Sequence, residues 1–192
     1  ADFIKESVAV VTNPAIDRDR EMEHFSTRVI IGKRPSLFDL ESGHTNIELT
    51  SPIIAEGLAG VTLSEKSNQP SFEQVTNYYR NLNKLHNLSA TFKETETIKE
   101  ALDRLVNEAI AAVNSGAELL VIDDKEAHKD GLWLDPHLIT SALDQGLTEK
   151  ELRRNCSFLV RSGAIRSLHD IAVVFGLGAD LVNPYLLFGT VC

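Results

Sequence analysis

Carboxylate and imidazole side chains are concentrated after one apolar segment, "AELLVIDD" (residues 117–124). Asp123 and Asp124 end this segment, and the residues that follow add Glu126, His128, Asp130, Asp135 and His137. Oxygen and imidazole ligands can hold a divalent cation, so Asp123, Asp124 and His128 are candidate ligands in a metal-dependent hydrolase or lyase. The alternative is that the aspartates only end a buried strand beside a solvated loop, because clustered carboxylates are probabilistic evidence for a site.

A glycine-rich turn, "GLGAD" (residues 176–180), contains part of the GxGxxG pattern. A dinucleotide fingerprint follows a strand, whereas this turn follows a predicted helix. We therefore predict a tight helix-to-strand turn in which Gly176 or Gly178 has a positive φ. A relic of a phosphate- or flavin-binding site is the competing hypothesis.

The two cysteines, Cys156 and Cys192, lack the spacing of a metal site or a disulfide framework. Cys156 follows Arg153 and Arg154, which could lower the pKa of its thiol. No base accompanies it in the sequence, so we expect a buried structural thiol.

Composition limits the class of partner. The chain has 192 residues, 43% of them hydrophobic, which suits a single domain with one substantial core. Its net charge of -9 argues against nucleic-acid and anionic membrane partners, and its apolar runs are shorter than the ~20 residues of a membrane span. Cysteine usage and the absence of a signal peptide favour the cytoplasm. Because Met22 is the only methionine and Ala1 comes first, we expect the chain to be excised from a longer polypeptide.

Apolar periodicity predicts alternating strands and helices. The predicted strands are residues 8–11, 28–31, 88–93, 117–124, 156–163 and 179–183. The predicted helices are residues 17–23, 71–85, 97–114, 136–143 with an end at Gly146, 148–154, 168–175 and a final one after Pro184. Such alternation indicates an α/β fold of parallel β/α units, forming a partial or degenerate β/α-barrel-like domain. In that class ligands bind at the carboxyl ends of the strands.

The first predicted strand ends at the start of the stretch "VTNPAIDRDRE" (residues 11–21). Pro14 ends the strand because it lacks an N–H and biases Asn13 toward extended geometry. Asp17 can cap the charged helix that follows. Thr12 and Asn13 thus stand as polar residues at a strand end.

Three stretches together resemble the central domain of glutamate synthase, the flavoenzyme that makes two glutamates from glutamine and 2-oxoglutarate. "VTNPAIDRDRE" is similar to that family's V-T-N-P-P-I-D-P-x-R-E, and "SPIIAEG" resembles its S-P-[IV]-L segment. The closing run "NCSFLVRSGAIRSLHDIAVVFGLGADLVNPYLLF" is similar to its S-G-x-x-x-x-H…G-x-G-A-x-x-V-N-P-Y-L pattern. Ala15 and Arg18 stand where the family usually has prolines, and residues 123–125 where it has Ser-Asp-Arg.

The resemblance implies a connecting domain between an amidotransferase domain and an FMN-binding domain, its partners in the same polypeptide. It implies scaffolding, no catalytic residue and no cofactor in this chain, with FMN and an iron–sulfur cluster in the missing part of the parent. The isolated chain should then be inactive. Thr12 and Asn13 would line an ammonia tunnel, supported by Pro14, Asp17, Glu21, Gly178, Asn183 and Pro184. A homo-oligomeric interaction domain, formed through the apolar termini, is a further alternative.

Overall fold

The computed structural model describes residues 26–36, 38–39, 44–127 and 131–191. The strands are β1 (Val29–Ile31), β2 (Ile47–Leu49), β3 (Leu85–Ser89), β4 (Thr91–Phe92), β5 (Leu119–Asp123), β6 (Leu132–Trp133), β7 (Ser157–Arg161) and β8 (Leu181–Asn183). The helices are α1 (Gly57–Ser67), α2 (Phe72–Asn81), α3 (Ile98–Asn114), α4 (Pro136–Glu149), α5 (Leu168–Gly176) and α6 (Tyr185–Val191). The predicted strand 8–11 and helix 17–23 lie outside the described residues.

A parallel sheet in the order β3-β5-β7-β8 organises the fold. Residues 52–54 extend it beyond β8, where Ile54 donates its N–H to the carbonyl of Val182 (3.0 Å) and Val182 donates to Pro52 (2.9 Å). This segment precedes β3 in sequence but lies beside the last strand, as the first strand of a β/α barrel does. The predicted α/β class with parallel, barrel-like β/α units is confirmed.

Side-chain alternation along the strands divides the interior into two cores. On one face, Leu120, Phe158 and Val182 pack against α3, α4 and α5. On the other, Leu119, Leu159 and Leu181 pack against α2 and the β1–β2 hairpin. The strands β5 and β7 are therefore buried on both faces, which explains why each reads as an uninterrupted apolar run.

Helix starts follow their sequence signals. Thr97 and Glu100 form the predicted capping box of α3, and Ser71 and Gln74 form another at the start of α2. Gly116 has φ +99° just after α3, which agrees with the predicted left-handed cap.

Gly146 does not end α4, so that prediction was wrong. The helix continues to Glu149, and a Cβ on Gly146 would lie 2.4 Å from Cγ1 of Val106. The glycine is there because α3 crosses α4 at this point, and only a residue without a side chain allows the close approach. The predicted helical piece at 148–154 is consequently the end of α4 and a short 3-10 turn at Arg153–Asn155.

Element boundaries in the first half also differ from the predictions. The helix predicted to reach residue 85 ends at Asn81, and β3 begins at Leu85. Residues 91–92 do not continue β3 but pair with β6 as a separate antiparallel ribbon. No local pattern had indicated β2 or α1. Within the described ranges, no helix is long and apolar enough to cross a membrane.

Candidate functional site at the carboxyl edge of the sheet

Arg161, the last residue of β7, is the centre of an ion-pair cluster at the carboxyl edge of the sheet. Its Nε donates to Oε2 of Glu56 (2.7 Å), and its Nη1 donates to Oδ2 of Asp123 (2.9 Å). Lys125 Nζ contacts the other oxygen of Glu56 at 2.8 Å. Two carboxylates and two cations therefore balance each other where ligands bind in this fold class.

Aromatic rings contact the guanidinium of Arg161 in addition to the two carboxylates. It lies 4.7 Å from the ring centroid of Phe72 and 5.7 Å from that of Tyr185. Burial lowers the pKa of Arg161, but its hydrogen bonds and charge interactions with Asp123 and Glu56 outweigh this and raise it. Arg161 is thus a permanently charged, positioned group and not an acid or a base.

Asp124 forms a second cluster on the neighbouring side of the same edge. Its carboxylate accepts hydrogen bonds from the hydroxyl of Ser162, the backbone N–H of Gly163 (3.1 Å) and the hydroxyl of Tyr185 (2.9 Å). Burial raises the pKa of the Tyr185 hydroxyl, and the hydrogen bond to Asp124 raises it further. Tyr185 therefore stays protonated and donates to a buried carboxylate, an arrangement that ties β5, the loop after β7 and α6 together.

Asn183 and Pro184 carry the turn from β8 into α6. Asn183 is fully buried, and its Nδ2 lies 3.3 Å from Oε2 of Glu56. Within the described part of the chain its Oδ1 has no hydrogen-bond partner. The carbonyl of Pro184 accepts from the N–H of Phe188 (3.2 Å) in the first turn of α6. Asn183 thus joins the Arg161 cluster, which the resemblance had not indicated.

The carboxylates proposed as metal ligands are engaged by protein donors. Asp123 binds Arg161 and also accepts from the N–H of Lys125 (2.9 Å), while Asp124 has the three partners given above. Asp135 and His137 belong instead to the start of α4, where Asp135 accepts from the N–H of His137 (2.8 Å). Among the described residues, no group of three or more His, Cys, Asp and Glu could hold a metal. His128 lies outside the described residues.

The Gly176–Asp180 turn does not fit a flavin phosphate. Gly178 has the predicted positive φ, +116°, but a Cβ there would lie 2.5 Å from Oδ1 of Asp144. The carbonyl of Gly178 and the carboxylate of Asp180 both accept from Nη2 of Arg153, at 2.6 and 2.9 Å. The N–H groups of Gly178, Ala179 and Asp180 already donate to backbone carbonyls, and the carboxylates of Asp144 and Asp180 beside the turn would repel a phosphate.

Cys156 has the inert environment expected from the sequence. Its side chain is buried, and burial raises the pKa of its thiol to about 12 even though the Arg153 charge lowers it. A nucleophilic cysteine needs a depressed pKa, so Cys156 is a packing residue.

Asp124, Glu56 and Tyr185, which belong to these clusters, line cavities in the described part of the chain. The one beside Asp124, between Trp133, Gly163 and Arg166, has a volume of about 150 Å³. Small-molecule sites usually have ~300 Å³ or more. A cavity of about 980 Å³ lies at the same edge, beside Ser89 at the end of β3 and Glu126 after β5, between residues 91–96, Arg104 and β6. The groove that Glu56 and Tyr185 line has a volume of about 600 Å³, so the ionic junction around Arg161 borders open space.

Five residues of the predicted site, Thr12, Asn13, Pro14, Asp17 and Glu21, lie outside the described residues. Sequence reasoning also missed three residues that dominate the observed edge, namely Glu56, Arg161 and Tyr185. A signal existed for Arg161, because it ends a buried strand in which a lone cation needs a partner. Its partner Glu56 is 105 residues away, so no local pattern could pair them.

Comparison with known proteins identifies a family. The sequence matches the family described as "Glutamate synthase central domain" over residues 1–192. It is 31% identical over 190 residues to the glutamate synthase [NADPH] large chain of Bacillus subtilis, covering 98% of this chain and 12% of that protein. It is 34% identical over 198 residues to the chloroplastic ferredoxin-dependent glutamate synthase of Oryza sativa, covering 98% of this chain and 11% of that protein.

One solved structure, a 2,3-dimethylmalate lyase of the PEP mutase/isocitrate lyase superfamily, covers 69% of this chain and 49% of its own. Its identity is 13% and its TM-score 0.39, so it contributes nothing to the assignment. The sequence comparisons identify the family, because an NADPH-dependent and a ferredoxin-dependent synthase each match 98% of this chain. The chain belongs to the glutamate synthase central-domain family.

Proposed function

We propose that this chain is the connecting module of a glutamate synthase, which positions the other domains of the same polypeptide and lines the passage for ammonia. The module is not catalytic alone. Amidotransferase and FMN-binding domains of the parent are its partners, and FMN and the iron–sulfur cluster belong to the parent's other domains. We further propose that residues 1–192 act as a single domain in the cytoplasm.

The observation that carries this proposal is the ion-paired cluster at the carboxyl edge. Catalytic residues of β/α barrels lie at this edge. Here Arg161 binds Glu56 and Asp123, and Asp124 accepts from the hydroxyl of Tyr185 and the N–H of Gly163, so these groups hold protein segments together. Breaking such a cluster to bind a substrate would expose buried charges. An edge held by such ion pairs suits a scaffold.

The family relationship supports the multidomain context. The chain spans only 11–12% of the Oryza and Bacillus synthases, so most of a protein of that kind lies outside it. The tunnel role is supported by the similarity of residues 11–21 to the family's Thr-Asn-Pro motif. Thr12 and Asn13 supply polar atoms at a strand end, Pro14 fixes the turn, and Asp17 and Glu21 can anchor it.

Thr12→Val and Asn13→Ala in the full-length protein test the tunnel. Glutamine hydrolysed and 2-oxoglutarate consumed are measured in the same reaction. We expect glutamine hydrolysis to exceed 2-oxoglutarate consumption in both variants, with ammonia released to the solvent, because the passage loses polar atoms that guide it.

Ser115→Ala, at an exposed position after α3, is the control and should keep the two rates equal. Two variants whose rates stay equal and whose activity matches the parent would contradict the tunnel role. Measurable synthase or glutaminase activity in the isolated chain would contradict the assignment as a non-catalytic module.

A further inference from the structure

Helix α1 contacts the rest of the described protein mainly through one glycine. Of its residues, only Gly60 is buried. A Cβ on Gly60 would lie 2.6 Å from the carbonyl oxygen of Ala55, so the helix backbone rests directly on the preceding segment. Leu58 is 83% exposed and Val61 52% exposed. The side of α1 that contacts the protein therefore carries no large apolar side chain.

The side of α1 that lies toward α6 carries three apolar residues, Leu58, Ala59 and Leu63. Residues 58, 59, 62, 63 and 66 follow the spacing i, i+1, i+4, i+5, i+8, which defines one helix face. They line one wall of a groove of about 600 Å³. Leu58, Ala59 and Leu63 make that wall mainly apolar. An 11-residue helix is marginal alone, so exposing this face is costly unless something covers it.

Helix α6 supplies the opposite wall. Tyr185, Phe188 and Gly189 line it, and Leu186 on the same helix is 44% exposed. Two residues that line the groove are held in place by other side chains. Glu56 binds Arg161 and Lys125, and Tyr185 donates to Asp124. The groove is thus a rigid apolar channel between two surface helices, directly beside the ionic junction.

We propose that this groove is a docking site for a polypeptide segment of the same synthase chain from outside these 192 residues. The inference rests on the proposed function. Synthases in this family are several times longer than the chain, and α6, the wall of the groove, runs to Val191. This chain covers 12% of the Bacillus synthase, so most of a protein of that kind is available to supply such a segment.

The chemistry of the groove selects the kind of segment. Apolar side chains would pack on Leu58 and Leu63, and a carboxylate would suit Lys66 at the end of the same face. A second copy of this chain is a poorer occupant, because each copy carries a net charge of -9 and two copies repel.

Alkylation of a single introduced cysteine tests the proposal in the full-length protein. The Leu58→Cys variant is alkylated under native conditions, and mass spectrometry follows the peptide that contains position 58. Leu168→Cys, at a position 78% exposed on α5, gives the rate at a comparable leucine outside the groove. We expect the thiol at position 58 to react at least about tenfold more slowly than the thiol at position 168, because docked polypeptide covers it.

A photoreactive benzoylphenylalanine at position 58 then identifies the cover. We expect intramolecular cross-links to residues of the same polypeptide outside the 192. Equal alkylation rates overturn the proposal, and so does protection that disappears on dilution or cross-links to a second copy. If Leu58→Cys does not fold, Thr62→Cys in the same wall gives the same reading. Neither measurement depends on ammonia transfer, so the groove and the tunnel can fail separately.

Discussion

Two largely buried arginines, one at each end of β7, bind carboxylates from different parts of the chain. Arg153, just before the strand, binds Asp144 (2.7 Å) and Asp180 (2.9 Å) and lies 4.0 Å from the ring centroid of Phe158. Arg161, at the other end, binds Glu56 and Asp123 and lies against Phe72. Both combine two carboxylates with an aromatic face, so their local chemistry is nearly the same.

The two arginines differ in the sequence separation from their carboxylate partners. Arg153 joins carboxylates at most 27 positions away, within successive β/α units. Arg161 joins Glu56 across 105 positions and so connects the N-terminal half to the sheet. The amino end of β7 has long-range contacts as well, but through other groups. The hydroxyl of Ser157 accepts from the N–H of Gly32 (3.0 Å), 125 positions away, so both ends of the strand connect the halves of the fold.

Arg153→Met should have the largest effect on stability. Asp180, whose side chain is only 13% exposed, would lose its closest cation, and removing one partner of a buried pair costs about 3–5 kcal/mol. Urea denaturation of the 192-residue chain, followed by circular dichroism, measures this loss. Arg154→Met, the exposed neighbour, is the control and should change the free energy of unfolding by less than about 0.5 kcal/mol. Equal losses in the two variants would show that Arg153 is not a structural centre.

Arg161→Met should cost less, about 2–3 kcal/mol, because Glu56 keeps Lys125 and Asn183 as partners. Adding Lys125→Met sharpens the comparison. We expect that second change to cost more in the Arg161→Met background than in the parent, since Glu56 then loses its last cation. Additive losses in a double-mutant cycle would refute the idea of one coupled cluster.

Gly178→Ala probes the Arg153 end from a second direction and should cost about 2 kcal/mol. The new Cβ would be strained at φ +116° and would press on Asp144, a partner of Arg153. Gly116→Ala is a matched control, because Gly116 also has a positive φ (+99°) but nothing lies within 4 Å of its Cβ position. The difference between their melting temperatures isolates the contact. No difference would mean that only backbone strain matters at Gly178.

The smallest effect is expected at a third arginine pair, in which the arginine side chain is 43% exposed. Arg104 binds both oxygens of Glu96, at 2.8 and 3.1 Å, and this hydrogen bonding lowers the pKa of Glu96 from its usual value. Because the folded-state pKa is lowered, the stabilisation is present above the unfolded-state pKa and is lost as pH falls through the folded-state value.

Glu96→Gln should therefore destabilise the chain slightly at neutral pH and make no difference in acid, well below pH 4.5. Urea titrations of both proteins at the two pH values measure this. A penalty that persists unchanged in acid would contradict the ionic origin.

Local signals in the sequence predicted the second half of the fold well. The capping box at Thr97, the buried strands β5 and β7 and the positive φ of Gly178 all depend on residues within a few positions of each other. Gly146 misled the prediction because its reason for being glycine is Val106, on another helix.

The candidate site was predicted only in part. Asp123, Asp124 and Asn183 were singled out and do lie at the carboxyl edge, but their roles come from partners that no local pattern could supply. The metal hypothesis arose because an aspartate paired with a distant arginine looks the same in a sequence as one that awaits a cation.

The sequence by itself determined the α/β class, the parallel strands and the family, because periodicity, caps and motifs are written in neighbouring residues. Only the tertiary structure decided that Glu56 meets Arg161, that residues 52–54 lie beside β8, and that apolar residues of α1 line a groove with α6. The physical reason is that burial and charge pairing depend on which segments meet in space. Contacts between residues a hundred positions apart leave no periodic trace along the chain.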